Sequence, residues 1–161
     1  MTKQVALALD NVDTAYADLM TIAKDIFEEV SREINFLIDN AYQNSENLSN
    51  DAIRDLMLKL SLRSYTFSET KEKAAFKASI AESIRKEQYA TNFNQSEGTV
   101  AVRENTAIIN TSAEIIAEEI YVLVANMLKT KLSEVHNVVN TLQTVLTSRL
   151  QEAKLSMVGG G

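Results

Sequence analysis

The chain has 161 residues with no cysteine, no proline, one histidine and a formal net charge of −6. That composition removes disulfides, thiolate chemistry and cysteine metal sites, and the acidic excess, which sits in the first helix, argues that this helix is not a phosphate-binding surface. Glycine is equally scarce: Gly98 stands alone before the terminal Gly159, Gly160 and Gly161, so almost nothing forces the backbone out of a helix.

The opening stretch from Met1 to Asp10 has one cation, Lys3, and an apolar run too short for a signal-peptide core or a membrane span. A cytoplasmic protein without membrane contact is the expectation. From Val12 the apolar residues fall at Val12, Tyr16, Leu19, Ala23, Ile26, Val30, Ile34, Leu37 and Ala41, close to a heptad stripe. This predicts a helix from about Val12 to Tyr42, within a first segment 1–43. It is acidic: residues 1–50 hold three basic side chains against nine acidic ones, whereas residues 51–161 hold thirteen of each.

Gln43 to Asn50 reads as a polar connector, with Ser49 or Asn50 as the N-cap of a second helix over 50–97. Ile53, Leu56, Met57 and Leu60 give it an apolar side. The run Ser64 to Ser68, rich in β-branched, aromatic and hydroxylic residues, is its weakest stretch and predicts a kink or short interruption. From Glu69 the pattern is alanine-rich, with Ala74, Ala78 and Ala81 on one edge. Gly98 then fits a C′ position and a hinge between segments, and Thr99 a cap for the next helix. A long last segment, 99–158, carries the ladder Ile109, Ala113, Ile116, Ile120, Leu123 and Met127, then, on a neighbouring face, Leu128, Leu132, Val135, Val139, Leu142, Leu146, Leu150 and Ala153. Thr111 with Glu114 matches a capping box, so the helix is expected to restart there. Gly159 to Gly161 reads as a disordered tail.

The inventory for chemistry is thin. His136 has no metal-ligand spacing around it, and no His-Glu-x-x-His exists. The carboxylate pairs Glu28/Glu29, Glu82/Glu87 and Glu118/Glu119 read as solvated helix faces. Gly98 alone makes no phosphate loop. No catalytic residue, metal or cofactor is expected, and the chain reads as non-enzymatic.

One electrostatic feature stands out, the basic run Lys71, Lys73, Lys77, Arg85 and Lys86, flanked by Arg54, Lys59, Arg63, Tyr65 and Phe67. Such an edge suits a phosphate backbone, with Tyr65 and Phe67, or Tyr89 and Phe93, stacking unpaired bases. Against it, Glu69, Glu72, Glu82 and Glu87 share the same helix and can neutralise the face.

The stretch from Thr70 through Leu150, a Lys- and Ala-rich helix, a polar break and a long aliphatic helix, resembles the UvsY-type recombination mediators of T4-like phages. The local likeness lies in Lys71-Glu72-Lys73-Ala74-Ala75-Phe76-Lys77-Ala78-Ser79-Ile80. Lys77 falls where that family has its DNA-contacting lysine, and Ser79 where it has an arginine. Ser96 to Arg103 also resembles the Gly-Thr-Val junction of many phage proteins of this size. Together the two stretches cover about half the chain. The resemblance implies a phage-encoded helical subunit in the host cytoplasm that assembles into a ring and binds single-stranded DNA. It also implies that the subunit helps load a recombinase against single-strand-binding protein.

The fold expected is all-α, a single domain over 1–158 built as an extended hairpin or bundle of long antiparallel helices with coiled-coil character. From Thr111 to Met157 a helix would run roughly 70 Å at about 1.5 Å per residue, which predicts a homo-oligomer. The function expected is a recombination or replication accessory protein binding single-stranded DNA through the Lys71 to Lys86 face, with two alternatives: an acidic inhibitor mimicking DNA toward a host-defence or nucleic-acid enzyme, and a structural coiled-coil phage subunit.

Overall fold

The computed structural model describes the backbone of residues 3–44 and 47–158 and the side chains of residues 14–43 and 47–158. Among them it contains four helices and no strand: α1 (Lys3–Asn44), α2 (Asn50–Gln95), α3 (Val100–Asn110) and α4 (Ser112–Val158). The fold is an all-α helical bundle, as the lack of helix breakers dictates. No helix among the described residues is long and apolar enough to cross a membrane. The glycine tail lies outside the described residues.

Ser49 is the N-cap of α2: its Oγ accepts from the Ala52 amide at 3.2 Å, and its carbonyl accepts from Ile53. The interruption expected at Ser64 to Ser68 is absent, and α2 is helical throughout. Two contacts override the weak propensity. Phe67 inserts into the interior at 4 % exposure, seven residues after fully buried Leu60, and Ser64 donates back to the Ser61 carbonyl at 2.7 Å. Tertiary burial outweighs a propensity deficit of a few tenths of a kcal/mol per residue.

At the other end of α2, Gly98 does not occupy the helix C′ position. Ser96 closes the helix through its amide and its hydroxyl, both directed to the Asn92 carbonyl, and Gly98 follows two residues later at φ +107°. Thr99 then holds the N-cap position of α3 in extended conformation, without a side-chain cap bond. The helix does restart at Thr111, but not through a capping box. The buried Thr111 hydroxyl donates backwards to the Ala107 carbonyl at 2.9 Å, and its amide bonds to Ile108. Glu114 does not reach back either; its Oε2 is buried without a hydrogen-bond partner among the described residues.

Two compact units divide the chain, and their limits fall inside helices rather than in loops: residues 1–28 with 70–127, and residues 29–69 with 128–161. The second unit buries large aliphatic side chains: Ile34 and Ile38 from α1, Ile53, Leu56 and Leu60 from α2, and Leu128, Val135, Val138 and Leu142 from α4. Fully burying each Leu or Ile stabilises by about 1.5–3 kcal/mol. Ser31 is also fully buried there, so the α1 core line runs through Ser31, Ile34, Ile38 and Ala41, whereas Val30 of the expected stripe is exposed. Among the described residues, those buried in the first unit are mostly small instead: Ala23, Ala74, Ala78, Ala81, Ala107 and Thr111, with Val124.

Candidate nucleic-acid interface

The second half of α2 positions the basic run. Residues 69–90 are dominated by alanine, glutamate and lysine, all strong helix formers, and their shortest side chains, Ala74, Ala78 and Ala81, form the buried edge. Small residues let α4 approach closely, so side chains flanking that edge reach it. Arg85 Nε donates to Glu118 Oε2 at 2.8 Å, both side chains being partly buried. The Lys77 ammonium stands 5.0 Å from the centre of the Tyr121 ring, a cation–π distance. Order along α2 runs from Lys77 to Arg85 while order along α4 runs from Tyr121 back to Glu118, so these two segments are antiparallel.

The five cations therefore do not form one face. Arg85 is turned inward to α4. Lys86 pairs with Glu82 one turn earlier at 2.5 Å, and this hydrogen bond, with the lysine charge behind it, holds the Glu82 carboxyl below its ordinary range. Lys71 sits 2.7 Å from the Glu72 carboxylate. Lys73 and Lys77 share one exposed edge, whereas Lys86, nine residues beyond Lys77, is rotated by about 180° at 100° per residue. Of the carboxylates that share this helix, Glu72 pairs with Lys71 and Glu82 with Lys86.

The aromatic residues also redistribute. Phe67 is interior and cannot stack a base without leaving the core. Tyr65 is 76 % exposed but belongs to the other compact unit. Tyr89 and Phe93 stack on each other with ring centres 6.3 Å apart. Phe93 carries the Arg103 guanidinium 4.2 Å from its centre, and Arg103 Nε donates to the Phe93 carbonyl at 2.8 Å. That column closes the α2–α3 turn and is not presented to a ligand. The exposed aromatic of the second half of α2 is Phe76, at 67 %. Its signal was in the sequence: a ring opposite the alanine edge of an amphipathic helix.

Two clefts flank α2. In the first unit Ile84, Glu87, Gln88, Thr91, Asn92 and Asn110 line one of about 450 Å³. In the second unit Glu33, Leu37, Lys59, Leu62, Arg63 and Thr66 line one of about 490 Å³, with Arg63 paired to Glu33. Among the described residues no three His, Asp or Glu side chains gather as metal ligands, and His136 is exposed. No protein-family model, no curated protein and no solved structure matches the chain.

Proposed function

We propose that the chain is a non-enzymatic helical assembly protein that works as a homo-oligomer. The observation that carries this reading is the repetition of large, uncovered apolar side chains at helical spacing. Phe76, Ile80 and Ile84 do so in the first unit, and Leu58, Leu62 and Tyr65 with Phe36 in the second. Soluble monomers keep such contiguous patches small, and larger ones mark interaction surfaces. Sedimentation velocity and light scattering across the micromolar range test it. A concentration-dependent rise above the 17.9 kDa chain mass is expected, and a single monomeric species throughout overturns the proposal.

A second reading is the recombination accessory role that the resemblance implies, with the oligomer holding single-stranded DNA and assisting recombinase loading. What favours it is the exposed edge of Lys73 and Lys77, with the exposed Phe76 ring flanking Lys73 on the side away from Lys77: two amines suited to phosphate contact beside a ring suited to base stacking. Fluorescence anisotropy with an oligothymidine should show binding that weakens with salt and falls further in Lys77→Ala. Absence of binding at low salt removes this second reading and leaves the first intact.

A further inference from the structure

The outer face of α2 in the first unit carries a palindrome. Lys73, Phe76, Ile80, Ile84 and Glu87 follow one another at steps of three, four, four and three residues, which keeps them within an arc of about 80° on the helix surface. All five are exposed, Phe76, Ile80 and Ile84 at 67, 43 and 42 %. The stripe has a cation at one end, an anion at the other and Ile80 at its centre.

We infer that a second copy of this chain docks on this stripe, antiparallel, about a two-fold axis through Ile80. That axis sets Ile80 against the partner's Ile80, Phe76 against the partner's Ile84, and Lys73 against the partner's Glu87, twice over. A parallel arrangement would oppose Lys73 to Lys73 of the partner subunit, so charge selects the antiparallel one. Shape agrees with charge. Phe76, the most exposed of the three apolar residues of the stripe, meets the partner at Ile84, on the lip of the cleft lined by Glu87, Gln88, Thr91, Asn92 and Asn110. Each protomer thus offers both a knob and a socket, the condition for a closed isologous contact. Lys77 lies about 20° beyond the Ile84 edge of the stripe, at the rim of the contact.

This inference rests on the self-association reading, and its test separates the two. The chain has no cysteine, so a single introduced thiol reports geometry: Ile80→Cys should form a disulfide-linked dimer under mild oxidation, whereas Ser79→Cys, about 100° away on the helix, should not. In sedimentation, Lys73→Glu and Glu87→Lys should each weaken association by about tenfold, and the combined exchange should restore it. Circular dichroism of each variant confirms that the exposed substitutions leave the helices intact. An oligomer in which Ile80→Cys does not cross-link, or crosslinks no better than Ser79→Cys, overturns the α2 interface but not self-association. So does an oligomer in which the charge exchange fails to rescue. A monomeric wild-type chain overturns both.

Discussion

Replacing Gly98 by alanine should destabilise the protein measurably, although the residue is exposed and makes no side-chain contact. Its φ of +107° is a conformation that L side chains rarely adopt, and holding a non-glycine residue in such a region costs on the order of 1–3 kcal/mol. An added Cβ would also lie 3.3 Å from Val102 Cγ1, so the valine must shift by a few tenths of an ångström. Alanine restricts the unfolded chain as well, which favours folding by about 0.4–1 kcal/mol. The net expectation is a loss of about 1–2 kcal/mol, read as a lower urea midpoint and a melting temperature reduced by about 2–8 °C. Gly98→Ala combined with Val102→Ala should recover only the contact part, leaving the backbone part. A Gly98→Ala protein as stable as wild type, or more so, refutes the reasoning and makes the junction indifferent to the left-handed turn.

Leu128 is fully buried, and Leu128→Ala should cost about 2–5 kcal/mol in urea unfolding, as cavity-forming leucine truncations do. Arg103→Lys keeps the charge but gives up the planar stack on Phe93, so a thermal melt should show much of the loss seen in Arg103→Ala, on the order of 1 kcal/mol. For Glu82 the folded carboxyl titrates below its ordinary value of 4.5 because Lys86 hydrogen-bonds it and adds its charge. A depressed folded pKa means that the pair's contribution is present above that value and is lost as the pH falls through the folded pKa. Carboxyl-detected NMR should place the Glu82 midpoint below 4.5, and Lys86→Ala should bring it back.

Local chemistry was the legible part of this chain. The Ser49 cap, the Ala74–Ala78–Ala81 edge and the restart at Thr111 all follow from patterns spanning one or two turns. Contacts across helices were not legible. Nothing in the neighbourhood of Arg85 announces Glu118, 33 residues away, and that one pair removes a cation from the expected DNA face. Phe67 and Tyr65 look alike in a window of five residues; only the phase set by Leu60 sends one inward and the other out. At Thr111 the motif marked the right place with the wrong direction of donation, because a buried hydroxyl beside unsatisfied carbonyls serves the helix behind it rather than the one ahead. The basic run failed as a face for a simpler reason: closeness in sequence is not closeness in azimuth on a helix.

The contrast between an alanine-built interior and a leucine- and isoleucine-built one sets a gradient of motion along individual helices. Each alanine in the first unit removes about one methyl from water, where each leucine or isoleucine in the second removes several. Opening free energy tracks the apolar contact that must be broken. Within α2, backbone amides over 50–69 should therefore exchange with deuterium more slowly than those over 70–95, although both belong to one unbroken helix. The alanine half is the half that bears Phe76, Ile80 and Ile84, so the surface best suited to meeting another molecule is expected to sit on the part of α2 that opens more readily, and whatever covers it would quiet that motion.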